Sequence, residues 1–187
     1  MAGCIVTGAY IRWSAGNQPL PIDRWWHAYA NLHRDESLVA LSTWLNHAGG
    51  TVIVGYAVPA LVAIGLCLAR RYRDAVTIAV ASLVTAPLVN VIKAVLRRPR
   101  PDDGMIAVEL AAYPSGHVAN LTVLLVVAGL LVRKWWIWPP AAALVLAMAF
   151  SRTYLNLHWL TDTVGGAMFG AGVGMASFAM IRRKGAP

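Results

Sequence analysis

Apolar residues in this chain gather into long runs that short, strongly polar stretches interrupt. Residues 51–69, 75–92, 118–132, 138–150 and 164–181 contain no Asp, Glu, Lys or Arg. Several come close to the roughly 20 residues a membrane-spanning helix needs. The shorter ones extend through their flanks, for example over 135–154. Five spanning helices follow from this pattern. The opening apolar run, 2–11, is too short to cross alone and reads as a sixth, incomplete span. Between it and residue 51 the pattern changes. Residues 18–50 mix Trp25, Trp26 and Trp44 with Asp23, Arg24, His33, Arg34, Asp35 and Glu36. Leu38, Leu41 and Leu45 there follow the three-and-four spacing of an amphipathic helix, and tryptophans of this kind sit at headgroup level. The expected fold is therefore an all-α polytopic transmembrane helix bundle forming one domain over 1–187. Residues 1–50 supply a short first helix and an interfacial segment, and 51–181 the bundle proper.

Composition agrees with a membrane setting. Hydrophobic residues make up 58% of the chain and charged residues 13%, against about 45–50% and about 25% in soluble proteins. Mean hydropathy is +0.59. The net charge of +8 would raise nucleic acid as a partner of a soluble protein. Here the basic residues lie between apolar runs, so anionic lipid headgroups or phosphate substrates are the expected partners, and nucleic acid is not. Cys4 and Cys67 form neither a disulfide framework nor a zinc motif.

Loop charge orients the bundle. Arg70, Arg71 and Arg73, then Arg133 and Lys134, then Arg182, Arg183 and Lys184 fall on one side if all five runs cross. The positive-inside rule makes that side, and the C-terminus, cytoplasmic. Loops 93–116 and 151–163 then face outward from a cell membrane. The first carries Lys93, Arg97, Arg98 and Arg100 where cations are normally sparse, an exception that needs a cause.

Three polar stretches meet at that outer face: 93–101, the Tyr-Pro-Ser-Gly-His run at 113–117, and 151–162. A phosphoryl group bears negative charge on its peripheral oxygens throughout transfer, so its site needs fixed cations and backbone donors. Lys93, Arg100 and Arg152 supply the cations, the arginines with a fork suited to two oxygens. Ser115 and Gly116 open a helix whose free N–H groups form an anion site. His158 and Asp162 are four residues apart. On one helix face, Asp162 would hold one ring nitrogen of His158 and leave the other free to attack. Gly166, Gly170 and Gly174 continue that face as a small-residue seam directed into the bundle. His117 is then available as general acid.

A lysine followed after six residues by Arg-Pro (Lys93, Arg100, Pro101), then Pro-Ser-Gly-His (Pro114 to His117), then Ser-Arg, five residues, His, three residues, Asp (Ser151, Arg152, His158, Asp162) resembles the type 2 phosphatidic acid phosphatase superfamily of membrane lipid phosphate phosphatases. The resemblance extends over about 51–181. It implies a six-helix bundle and a metal-independent, cofactor-free reaction through a phosphohistidine on His158, with His117 as acid and then base. The short first helix departs from the family pattern.

Ordinary explanations compete at some positions. Arg97 and Arg98 lie in the variable part of the first motif and serve equally well as headgroup anchors. His27, His33 and His47 lack partner spacing and read as structural or solvated. Asp102, Asp103 and Glu109 balance the loop arginines or shape substrate access. No repeated carboxylate or histidine spacing marks a metal centre. The leading reading is a phosphohydrolase on a membrane lipid phosphate or isoprenoid (pyro)phosphate. An undecaprenyl-type pyrophosphate, a polyprenyl phosphosugar, phosphatidylglycerol phosphate and phosphatidic acid are the candidates, with carrier lipids favoured. Two alternatives stay open: a phosphotransferase using the same site, and a non-catalytic anion-binding membrane transporter.

Overall fold

The structure is a computed structural model describing residues 1–108 and 111–183, the side chains of Thr51 and Arg183 excepted. Glu109 and Lys184 lie outside the described residues. Eight α-helices follow in order among them: α1 (Ala2–Ala9), α2 (Pro21–Leu32), α3 (Glu36–Ala48), α4 (Val58–Leu68), α5 (Tyr72–Leu96), α6 (Gly116–Val132), α7 (Trp138–Tyr154) and α8 (Leu160–Arg183). Their boundaries follow local chemistry. Asp35 caps α3 by accepting from Leu38 N at 3.1 Å, and prolines open α2 and α7, where no N–H is needed. Arg97 and Arg133, both left-handed, end α5 and α6.

The helices α4 to α8 run alternately up and down, so the ends of five elements meet at each pole. At one pole the predicted basic ends converge. Asp74 pairs with Arg71 at 2.6 Å and with Arg182, and Arg73 donates to the Ile181 carbonyl at 2.8 Å. At the other pole lie the three motif stretches. Along the middle, α6 and α8 approach closely through the predicted glycine seam. A Cβ at Gly166 would lie 2.5 Å from the Ser115 carbonyl oxygen, and one at Gly170 would lie 2.9 Å from Thr122 Cβ.

The outside of the bundle is apolar and its inside partly polar. Val76, Val80, Leu83, Val91 and Val95 of α5 are exposed, whereas Thr77, Ser82, Thr85, Asn120 and Thr122 are buried. Thr77 and Thr85 satisfy their hydroxyls on the carbonyls of Arg73 and Ala81, each four residues back, at 2.7 Å. Such an arrangement suits hydrocarbon surroundings. By length and composition, 36–68, 72–96 and 160–182 can cross a membrane, and 116–132 is a shorter apolar helix.

The short first helix belongs to the bundle. It starts beside Gly172, midway along α8, and continues as a π-helical turn (Tyr10–Ser14) toward the motif pole. Cys4 and Ile11 are buried in the core with Val89, Leu96 and Val123. The Tyr113 hydroxyl donates to the Cys4 carbonyl at 2.6 Å and ties the helix to the second motif. At the same pole α2 and α3 cover the helix ends. Trp25, Trp26 and Tyr29 cluster on α2, and α3 lies along α7, where the Ser151 hydroxyl donates to the Ser42 carbonyl at 2.7 Å.

Candidate active site

At the motif pole, Lys93, Arg100, Gly116, His117, Arg152 and His158 line one cavity of about 520 Å³. They come from five places in the chain, and each is positioned by its own local geometry. Lys93, on the last turn of α5, donates to the carbonyls of Ala111 and Ala112. The chain then leaves α5 through the left-handed Arg97. Arg100 donates to the Leu157 and Ala111 carbonyls and lies 3.1 Å from His158 Nε2. Gly116 and His117 form the first turn of α6. Arg152, near the end of α7, donates to Asn46 Oδ1.

His158 is buried in the turn between α7 and α8, two residues ahead of α8. A guanidinium can only donate, so Nε2 beside Arg100 accepts, and the ring proton resides on Nδ1. That nitrogen lies 3.5 Å from Asp162 Oδ2, an electrostatic contact longer than a good hydrogen bond. The two residues meet across the first turn of α8, and not along one helix face as their spacing predicts. Asp162 sits at the third helical position and reaches back to Trp159 N at 2.8 Å, the carboxylate half of a capping box. Its carbonyl accepts from Ser115 N at 2.9 Å, which fastens α6 to α8. Burial first, then the charges of Arg100, Lys93, Arg152 and His117, hold the His158 pKa well below the ordinary histidine value.

Ser115 departs from expectation. Its side chain is buried behind Gly116, does not line the cavity, does not cap α6, and has no hydrogen-bond partner for its Oγ among the described residues. Arg98 departs further. It is wholly buried and not a headgroup anchor, with Nη1 on Asp162 Oδ1 at 2.6 Å and Nη2 on Asp23 Oδ2 at 2.7 Å. Asp23, expected in the interfacial segment, is likewise 0% exposed. Arg97 is exposed, as a headgroup anchor would be.

Three features have no signal in the spacing. Asn46 and His47 reach the cavity from the end of α3. Asn90 and Asn120 line it one helical turn below Lys93 and His117. Asp103 does not balance the loop arginines. It accepts from Asn31 at 2.9 Å and Asn156 at 2.8 Å and pairs with His27 at 2.9 Å, clamping α2 to two loops of the site. Burial pushes the Asp103 carboxyl up, but its bonds to His27 and Asn31 outweigh this and bring it below the usual range. Among the described residues no group of three His, Cys, Asp or Glu side chains could hold a metal ion.

Comparison with known proteins converges on one group. Residues 74–186 match the PAP2 superfamily. The chain is 32% identical over 142 residues to the decaprenylphosphoryl-5-phosphoribose phosphatase of Mycobacterium tuberculosis, covering 73% of this chain and 77% of that one. It is 34% identical over 133 residues to the enzyme of the same name from Mycolicibacterium smegmatis, covering 68% of each. The fold is similar to that of the PAP2-type phosphatidylglycerolphosphate phosphatase from Bacillus subtilis, with a TM-score of 0.84 and 21% identity, over 97% of this chain and 94% of that one. LpxE from Aquifex aeolicus superposes with a TM-score of 0.69 at 21% identity, over 82% and 92%.

Proposed function

The chain belongs to the PAP2 superfamily and is a membrane phosphatase, and from that premise we propose that it removes the terminal phosphate of a polyprenyl-linked phosphosugar through a phosphohistidine on His158. The observation that carries this reading is the placement of His158, with Nε2 beside Arg100, in a cavity walled by Lys93, Arg100 and Arg152. In the proposed reaction the three cations grip the phosphoryl oxygens. The Nε2 lone pair attacks phosphorus and the bond to the leaving oxygen breaks. His117, as imidazolium, gives that oxygen its proton. His117 then takes a proton from water as the water oxygen attacks phosphorus. The N–P bond breaks, and His158 returns to its neutral form. Gly116 lets the backbone approach the phosphate closely.

The walls of the cavity are cationic, so they repel a divalent ion and favour a phosphate. This supports a metal-independent route. The phosphosugar is favoured by the names of the mycobacterial relatives and by Asn90 and Asn120, which offer hydrogen bonds behind the phosphate clamp where a prenyl chain would find none. The pole bearing the site is assigned to the extracytoplasmic face and the C-terminus to the cytoplasm. The basic residues gathered at the opposite pole support that orientation.

The test is phosphate release by the detergent-purified chain in excess EDTA. The substrates compared are a polyprenyl phosphosugar monoester, undecaprenyl pyrophosphate, phosphatidylglycerol phosphate and phosphatidic acid. The expected result is chelation-resistant activity with the highest kcat/KM on the phosphosugar. His158→Ala should lower it by roughly three orders of magnitude or more. Activity lost to EDTA, or retained in His158→Ala, overturns the proposal.

A further inference from the structure

Behind the cavity, Asp23, Arg98 and Asp162 form a row of charges whose side chains are all 0% exposed. Among the described residues, every hydrogen-bond partner of the Asp23 and Asp162 side chains can donate. Asp23 accepts from Leu20 N at 2.9 Å, Thr161 N at 2.8 Å, Thr161 Oγ1 at 2.9 Å and Arg98 at 2.7 Å. Asp162 accepts from Arg98 at 2.6 Å and Trp159 N at 2.8 Å. Both are therefore carboxylates, and with one guanidinium between them the row keeps one net negative charge.

Burying three charges is costly, and a buried ion pair is weak evidence of a stability role. The third charge has a purpose if the row serves His158. Arg98 and Asp162 alone would make a neutral pair whose field at the ring nearly cancels. Asp23, on the far side of Arg98, occupies half of the guanidinium fork and leaves the negative charge of Asp162 uncompensated toward Nδ1. The other charged groups facing His158, namely Arg100, Lys93, Arg152 and His117, all disfavour a cation there. When Nε2 takes a phosphoryl group the ring becomes cationic, with its proton on Nδ1 facing Asp162. Only then is the row neutralised, and an interaction stronger in the transition state than in the ground state accelerates the step.

We infer that Asp23 is a positioning residue for catalysis, acting through Arg98 to keep Asp162 electrostatically available to the cation that forms on His158. The inference rests on the reading of His158 as nucleophile. It gives the interfacial helix α2 a part in turnover, since Asp23 is its third residue.

The test compares kcat, KM and Tm for Asp23→Asn, Asp23→Glu, Arg98→Lys and His158→Ala in the 187-residue chain, on whichever lipid phosphate of the panel is turned over fastest. Asp23→Asn keeps the shape and removes the charge, and Asp23→Glu does the reverse. The expected result is a fall in kcat of about tenfold or more for Asn, equivalent to about 1.4 kcal/mol, with KM within about twofold and Glu faster than Asn. A role in packing alone predicts the opposite order. Should Asp23→Asn fail to fold, Arg98→Lys carries the test. A point charge cannot bridge two carboxylates as a planar fork does, so kcat should again fall at unchanged KM. Asp23→Asn within about twofold of the parent kcat, Asn faster than Glu, or Arg98→Lys at the parent kcat overturns the inference. If any of these accompanies an inactive His158→Ala, the nucleophile reading survives. An active His158→Ala removes both.

Discussion

The two ring nitrogens of His158 have different neighbours, and the difference sets the pH behaviour. Nε2 faces Arg100, and Nδ1 faces Asp162. Burial and then the Arg100 charge head the causes that depress the His158 pKa. The neutral, nucleophilic ring therefore persists as pH falls through the ordinary value of about 6.5. Arg100→Gln removes the nearest cation and should raise the His158 pKa. It is expected to move the acid limb of the kcat/KM profile to higher pH while also weakening phosphate binding. An unmoved limb would show that His158 is not the group titrating there. At this scale the motif residues Lys93, Arg100, Gly116, His117, Arg152 and His158 were legible, because phosphate chemistry demands those residue types and the cavity gathers them. Arg98 and Asp23 were not legible. They are 75 residues apart, share no periodicity, and each alone looks like an ordinary charge near a headgroup. Asn46 was hidden for the same reason, since nothing in the spacing of α3 says that its end faces Arg152.

At the scale of elements, the apolar runs located α4 to α8 because each must present a continuous greasy surface. The glycine periodicity of α8 also forecast a close-packed face directed into the bundle, without saying that α6 would meet it. Gly170→Leu tests that contact. A side chain there would press on Thr122 Cβ and on Val123 N, which stand 2.9 Å and 3.1 Å from the position of its first carbon. Overpacking of this kind costs about 1–3 kcal/mol, so Tm in detergent should fall, and an unchanged Tm would mean that α6 and α8 are not in contact there. Less legible was the manner in which α2 and α3 close over the site. Their amphipathic pattern names an apolar face without naming what covers it. The Asp103 clamp and the bond from Ser151 to Ser42 are side-chain agreements between distant segments. The first helix was found short, as its apolar run implies. Its seat against α8 depends on Tyr113 and Cys4, which hydropathy does not couple.

Across the whole molecule, loop charge and motif chemistry divide the bundle into two poles, and the structure separates them in the same way. Arg71, Arg133, Lys134 and Arg182 surround a cleft of about 820 Å³ at the pole opposite the site. If the proposed sidedness is right, a cysteine at 133 in a chain lacking Cys4 and Cys67 should react with a membrane-impermeant thiol reagent only in inside-out vesicles. A cysteine at 102 should react only in right-side-out ones, and the reverse pattern would invert the assignment. The central claim is narrower than topology: one phosphoryl group passes through the imidazole at 158. Rapid quenching of turnover with a substrate labelled on its terminal phosphate, followed by peptide mapping, tests it directly. The account predicts an acid-labile, base-stable label on the peptide containing His158 and none in His158→Ala. A label on any other residue, or phosphate release with no protein-bound label at any quench time, would contradict it.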